Sequence, residues 1–296
     1  MNDYSKDLRP ACFYKAAENG AAVCELCPHN CKIQKNSAGF CGIRKNIDGK
    51  LYAASYGRIS GAALDPVEKK PLYMFHPGTY VLSIGGFGCN FRCPFCQNCD
   101  ISLEYEESLH DVRYLSPEYI MGLALKTVPD GNIGVAYTYN EPFIGYEFLY
   151  DCAQLVRDAG LFNVVVTNGY INREPLETLL PLIDAMNIDL KGFSAEFYKK
   201  LKGGFEPVKE TIELSQNQCH VELTTLIIPG ENDSEEEIEE LARWIASLDN
   251  KIPLHLTRFF PRHKYSHKLP ASRESVYRLS EIAKKYLKNV FTGNMG

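Results

Sequence analysis

Three cysteines fall within eight residues at Cys89-x3-Cys93-x2-Cys96, in the run Gly85-Gly86-Phe87-Gly88-Cys89-Asn90-Phe91-Arg92-Cys93-Pro94-Phe95-Cys96. Three thiolates can each ligate one iron of a [4Fe-4S] cube, which leaves the fourth iron without a ligand from the motif. An open iron can bind a substrate or cofactor. The competing chemistry is a zinc knuckle completed by Cys99 or His76, but zinc sites usually pair their cysteines around longer loops and need four ligands.

A second group, Cys24-x2-Cys27-x3-Cys31-x9-Cys41, offers four soft ligands with His29 as a spare. Its spacing suits structural zinc or an auxiliary iron-sulfur cluster, and a segment this short has little else to fold around. The chain has 11 cysteines, an odd number, and close grouping points to metal ligation in a reducing compartment rather than to a disulfide framework.

These loops need a scaffold. Apolar runs at Tyr80 to Gly85, Ile133 to Thr138, Asn163 to Thr167, Ala185 to Leu190, His220 to Ile228 and Pro253 to Phe259 read as six strands. They alternate with helical patterns, as parallel strands with crossover helices do. Ser116-Pro117 looks like a helix start, Phe143 to Ala159 stops at Gly160, and Ser234 with Glu237 forms a capping box before Ile238, Leu241, Ala242 and Ile245. Val276, Leu279, Ala283 and Tyr286 repeat that logic. Six units are too few for a closed eightfold barrel, so the expected fold is α/β, a partial (β/α)6 TIM-like barrel with its site at the C-terminal strand ends. The expected division is a cysteine-rich N-terminal extension over residues 1-50, a connecting segment over 51-79 and the barrel over 80-296.

Polar residues gather at the expected strand ends. Asn140 and Glu141 follow the second strand, where an amide and a carboxylate could fix an ammonium, although Glu141 equally suits a helix N-terminus. Thr167-Asn168-Gly169 ends a β-branched run; Asn168 could reach a ribose hydroxyl or simply form a turn. Asp189 and Lys191 alternate on one strand face and could pair with each other or receive a carboxylate. His255 and Arg258 on the last strand could meet substrate, yet apolar neighbours of His255 suit a core histidine equally well.

Composition bounds the partners. Hydrophobic residues make up 45% and charged residues 23%, with a net charge of -5 and a pI near 5.9, so a dominant basic face for nucleic acid is not expected. No apolar run approaches the roughly 18–20 residues of a bilayer span, and MNDYSKDLRP lacks a signal-like apolar stretch. A cytoplasmic protein with no membrane partner is expected.

The C-x3-C-x2-C motif with Phe95 before its last cysteine resembles the radical S-adenosylmethionine (radical SAM) superfamily. The resemblance covers most of residues 20 to 296. It is carried by Cys24-Glu25-Leu26-Cys27-Pro28-His29-Asn30-Cys31, Glu68-Lys69-Lys70-Pro71-Leu72, Gln97-Asn98, Tyr137-Thr138-Tyr139-Asn140-Glu141-Pro142, Thr167-Asn168-Gly169 and Asp189-Leu190-Lys191. Within the superfamily it is similar to the radical SAM enzyme of the AmmeMemoRadiSam system and to activating enzymes of glycyl radical enzymes such as pyruvate formate-lyase.

The resemblance implies a [4Fe-4S] cluster on Cys89, Cys93 and Cys96, with S-adenosylmethionine chelated to the open iron. Reductive cleavage would give a 5'-deoxyadenosyl radical that takes hydrogen from an unidentified substrate. Phe95 is expected beside the adenine and Asn140-Glu141 near the amino group, with Thr167, Asn168, Asp189, Lys191 and His255 as further cofactor contacts. Activases place a monovalent cation near the positions of Thr167 and Asp189, but Val166 stands where they typically have aspartate. Implied partners are a reductant such as flavodoxin or ferredoxin and a protein substrate or AmmeMemoRadiSam partner proteins. The alternatives are a dedicated glycyl radical enzyme activase and, in another class, a non-catalytic metal-binding interaction module.

Overall fold

The computed structural model describes residues 8–105, 109, 112 and 114–296. The cysteine-rich leader forms six short strands: β1 (Arg9–Pro10), β2 (Tyr14–Ala16), β3 (Ala22–Cys24), β4 (Lys32–Ile33), β5 (Arg44–Ile47) and β6 (Lys50–Ala53). They pair as two antiparallel sheets, ordered β1-β6-β5 and β2-β3-β4. The β5–β6 hairpin turns on Asp48-Gly49, both at positive φ, as the favoured two-residue hairpin turn requires.

The main sheet runs β14-β13-β12-β11-β10-β9-β8-β7. Its strands are β7 (Gly61–Pro66), β8 (Tyr80–Gly85), β9 (Asn132–Thr138), β10 (Phe162–Thr167), β11 (Ala185–Asp189), β12 (His220–Ile227), β13 (Leu254–Arg258) and β14 (Val290–Gly293). From β8 to β14 every pairing is parallel. The six expected strands are all present, and the fold is an α/β partial barrel. Two strands extend the expectation: β14 at one edge and β7, antiparallel to β8, at the other. Among the described residues no helix is long and apolar enough to cross a membrane.

The covering helices follow their local signals. Ser116 Oγ accepts the Tyr119 amide at 3.3 Å, with Pro117 in the first helical turn. The expected helix from Phe143 begins instead as a 3-10 turn, Pro142–Gly145, and becomes α-helical at Tyr146–Asp158. Ser234 Oγ accepts the Glu237 amide at 3.1 Å. Glu237 does not close the expected capping box; its carboxylate accepts the Phe193 amide at 2.6 Å and ties the helix to the loop after β11.

The two sheet faces bury different cores. Leu82, Val135, Val165, Ile188, Leu223 and Leu256 join the helices in the larger core. On the inner face Val81, Ala136, Val164 and Ala185 close on Val67, Leu72 and Phe75 from the segment before β8. Glu222, fully buried, accepts the amides of Tyr73 at 3.0 Å and Met74 at 2.7 Å, plus the Nε2–H groups of His220 at 2.9 Å and His255 at 2.6 Å. Burial opposes ionisation there, but these donors win and hold the Glu222 carboxyl down to about 2. Residues 71–75 therefore plug the barrel, and His255 belongs to that plug.

One buried ion pair joins leader and barrel. Arg44 Nη1 lies 2.7 Å from both Glu147 oxygens, its Nη2 donates to the Cys12 carbonyl at 2.5 Å, and the Cys12 amide donates to Glu147 at 2.6 Å. Both side chains are only 2% exposed. Removing one partner strands the other charge in a dry site. Glu147→Ala should cost about 3–5 kcal/mol, whereas Arg44→Met with Glu147→Leu should lose much less. Urea unfolding checks this, and a wild-type midpoint for Glu147→Ala contradicts it.

Candidate active site

After Gly85 the chain has no regular structure until the short helix Cys99–Ser102, so scattered main-chain bonds, such as Gly88 N–H to the Ile101 carbonyl at 2.9 Å, and side chains together satisfy the loop's backbone. Asn140 does this at the start: its Oδ1 accepts the Gly86 amide at 2.9 Å and its Nδ2 donates to the Gly88 carbonyl at 3.1 Å. Gly88 has φ +81, and a Cβ there would lie 2.8 Å from the Cys41 carbonyl oxygen. Only glycine fits that approach.

Asn90 and Asn168 form the next fastening. Asn168 Nδ2 donates to Asn90 Oδ1 at 2.8 Å and lies 3.7 Å from Cys89 Sγ, while Asn90 Nδ2 donates to the Tyr170 carbonyl at 2.7 Å. Asn168 Oδ1 accepts the Tyr170 amide at 2.9 Å. With its amide bonded to these groups, Asn168 faces the cysteine loop. At the loop's far end, Asn98 Nδ2 donates to the Tyr139 carbonyl at 2.6 Å, and Gln97 Nε2 reaches the Phe260 carbonyl at 3.2 Å.

Glu141 is 2% exposed and clamps two strand ends. Its Oε1 accepts Thr167 Oγ1–H at 2.7 Å and the Phe143 amide at 3.0 Å; its Oε2 accepts the Asn168 amide at 2.8 Å. Burial pushes its carboxyl up to about 7 against the lowering effect of those donors. The Thr167 hydroxyl also accepts the Gly169 amide at 3.0 Å. Lys191 Nζ pairs with Asp189. Burial opposes its charge, yet Asp189 and the nearby cysteines hold the ammonium above its ordinary value. Thr167 and Asp189, where a monovalent cation was considered from sequence, thus already hold protein partners.

A cavity of about 360 Å³ brings together Cys89, Cys93, Cys96, Phe95, Asn140, Glu141, Thr167, Asn168, Asp189 and Lys191. Phe95 is 3% exposed and stacks with Phe197 at 6.2 Å between centroids. His255, expected as a further cofactor contact, does not border this cavity; its imidazole bonds to Glu222 at 2.6 Å. Arg258 likewise donates Nε–H to the Ala271 carbonyl at 2.6 Å.

Several lining groups were not anticipated. Tyr139, at φ +71, donates its hydroxyl to Asp65 at 2.8 Å, and Lys70 pairs with the same carboxylate beneath the ring. A Cβ at Gly85 would stand 2.7 Å from the Tyr139 ring. Thr224, Leu226 and Thr257 complete the wall; period-two spacing along β12 and β13 was the available signal.

Burial pushes the thiols of Cys89 and Cys96 up and that of Cys93 up to about 12. Such thiols become thiolates only against a cation. Phe91 N–H lies 3.3 Å from Cys89 Sγ, and with Asn168 it provides donors for a metal-bound sulfur. Elsewhere, Cys24, Cys27, Cys31, Cys41 and His29 line one small cavity in the leader. The chemistry of both donor sets therefore fits metal ligation.

The sequence profile described as the Radical SAM superfamily matches residues 83–245. An uncharacterised protein of Methanocaldococcus jannaschii is 41% identical, covering 97% of this chain and 86% of that protein. The pyruvate formate-lyase-activating enzyme of Clostridium pasteurianum is 26% identical over 55% of this chain and 68% of its own length. Among solved structures, a radical SAM methyltransferase from Sphaerobacter thermophilus shares the fold with a TM-score of 0.56 and 17% identity, over 75% of this chain and 69% of that chain.

Glu141 supplies a pH test. Its folded value lies above the ordinary 4.5, so folding favours the protonated form; that stabilisation is full below about pH 4.5 and is lost as pH rises through about 7. Glu141→Gln cannot ionise, so between those limits it should escape a loss of about 3 kcal/mol suffered by wild type. Urea titrations of the metal-free proteins at about pH 5 and 8 compare the two slopes, and equal slopes contradict the assignment.

Proposed function

The chain belongs to the radical SAM superfamily, and from that premise we propose that Cys89, Cys93 and Cys96 hold a [4Fe-4S] cluster whose open iron binds S-adenosylmethionine. The chain is a radical SAM enzyme, which sets aside the purely structural metal-binding module. Bound together, cluster and cofactor supply reductive cleavage to methionine and a 5'-deoxyadenosyl radical that removes hydrogen from a substrate. The observation that carries this reading is the convergence of three thiols and several polar strand ends on one cavity.

The chain's own residues divide the work of holding the cofactor. Glu141 accepts three protein donors, and a carboxylate offers about four acceptor sites; the remaining one suits the ammonium of the methionine part. Lys191, kept charged by Asp189, suits its carboxylate. Phe95 offers an aromatic face for adenine. Asn140, Thr167 and Asn168 act one step back by fixing the loop and Glu141. In this reading residues 80-296 are the catalytic barrel, 51-79 connect it to the leader, and 1-50 carry a second metal site on Cys24, Cys27, Cys31 and Cys41.

The likeness to a pyruvate formate-lyase-activating enzyme favours a protein substrate, presented at the mouth beside Lys69 and Gln97. A flavodoxin or ferredoxin would supply the electron. Anaerobic reconstitution followed by dithionite and S-adenosylmethionine should yield 5'-deoxyadenosine from wild type and at least a hundredfold less from Cys93→Ala, roughly what loss of an essential group costs. No product from an iron-loaded wild type sinks the proposal. Deuterium transfer from a labelled candidate protein or small molecule into 5'-deoxyadenosine distinguishes the substrate classes.

A further inference from the structure

The leader cysteines raise a question that the catalytic cavity does not absorb. Cys24 and Cys41 are buried, while Cys27 and Cys31 are half-buried. All four border one cavity, closed by apolar Leu26, Ile33 and Ile144. Backbone amides already address the sulfurs: Phe40 N–H lies 3.4 Å from Cys31 Sγ, His29 N–H serves Cys27, and Ile43 and Arg44 N–H serve Cys41. Donors to sulfur and a dry shell are the features by which a protein tunes a bound iron-sulfur centre.

Spacing separates the two metal chemistries. Four thiolates around one zinc at about 2.3 Å stand about 3.8 Å apart and leave no space between them. Among the described residues, three ligand atoms come within 4.8 Å of one another only at Cys99, Asp100 and Glu104. The leader sulfurs are thus not drawn together as four thiolates around one zinc are, and neither are Cys89, Cys93 and Cys96.

The leader also abuts the catalytic loop. His29 Nε2–H donates to the Asn90 carbonyl at 2.8 Å, and its ring packs on Phe40 at 4.3 Å between centroids. Arg92 lies 4.1 Å over that same Phe40 ring, donates to the Phe40 carbonyl, and donates to the carbonyls of Cys89 at 2.8 Å and Phe91 at 2.9 Å. Gly88 faces the Cys41 carbonyl so closely that a Cβ there would stand 2.8 Å from its oxygen. Two cysteine sites thus share one bonded seam, and none of residues 8–53 lines the catalytic cavity.

We propose that the leader binds a second iron-sulfur cluster, not zinc, and that this cluster passes electrons to the one on Cys89, Cys93 and Cys96. A low-potential one-electron carrier reduces the leader cluster; that electron then crosses the seam, reoxidising the leader cluster and reducing the catalytic one. Electrons enter from behind while substrate occupies the mouth. The relay rests on the radical reading of the catalytic cluster, whereas the leader cluster stands independently of it.

Anaerobic reconstitution of the full chain should load about eight irons and as many sulfides, two cubes' worth, without stoichiometric zinc. The triple variant Cys89→Ala, Cys93→Ala, Cys96→Ala should retain about half that iron and a paramagnetic signal on reduction that does not respond to S-adenosylmethionine. One zinc and no sulfide in that variant overturns the second cluster. In Cys24→Ser with Cys27→Ser, the ratio of flavodoxin-driven to dithionite-driven 5'-deoxyadenosine formation should fall at least tenfold; an unchanged ratio overturns the relay. His29→Leu, which keeps all four thiols, should lower the same ratio if the double variant fails to fold. Two loaded clusters with no 5'-deoxyadenosine from either reductant sink the catalytic reading instead, and flavodoxin reduction followed by magnetic resonance still tests the relay.

Discussion

A loop that turns three cysteines into one cavity is here neither helix nor strand, and the rest of this structure answers that constraint. Between Gly85 and Cys99 the backbone has no ladder partner of its own, so neighbouring strand ends lend side-chain amides. Asn140 holds Gly86 and Gly88, Asn168 holds Asn90, and Asn98 returns the loop to Tyr139. The Asn140 contacts satisfy loop backbone directly, whereas Asn168 holds a loop side chain and Asn98 reaches from the loop to the Tyr139 carbonyl. The Asn-rich strand ends are therefore a scaffold for the loop before they are anything for a ligand.

Glu141 extends that logic to the sheet. One buried carboxylate joins the chain after β9 to Thr167 and Asn168 at the end of β10, so the loop's anchors cannot move independently. Arg44 with Glu147 does the corresponding task for the leader. Two buried charges of opposite logic thus set the geometry: one carboxyl is kept near neutrality by burial, while the other is matched by a guanidinium.

The main strands were legible because β-branched runs such as Val164-Val165-Val166 end abruptly at polar or glycine residues. β7 was not, since Gly61-Ala62-Ala63-Leu64-Asp65-Pro66 has little strand propensity and owes its conformation to pairing with β8 along its whole length. β14 is only four residues long. The Asp48-Gly49 hairpin carried a readable turn signal that the cysteine spacing overshadowed. Asn140, Glu141, Thr167, Asn168, Asp189 and Lys191 could be gathered at strand ends from their order alone. The partners that redirect them are distant: Glu222 lies 33 positions from His255 and Asn90 lies 78 from Asn168. Pairings of that range depend on register and barrel curvature, which no local pattern encodes.

The plug built on Glu222 has a consequence for traffic. Tyr73 and Met74 are fastened by their amides, and His220 and His255 close the same carboxylate from the sheet, so the barrel floor is sealed by polar bonds added to the apolar packing of Leu72 and Phe75. A chamber with a fixed floor sets an order on what enters from its mouth. Whatever binds deepest must arrive first, and it leaves only after the molecule nearer the door has gone.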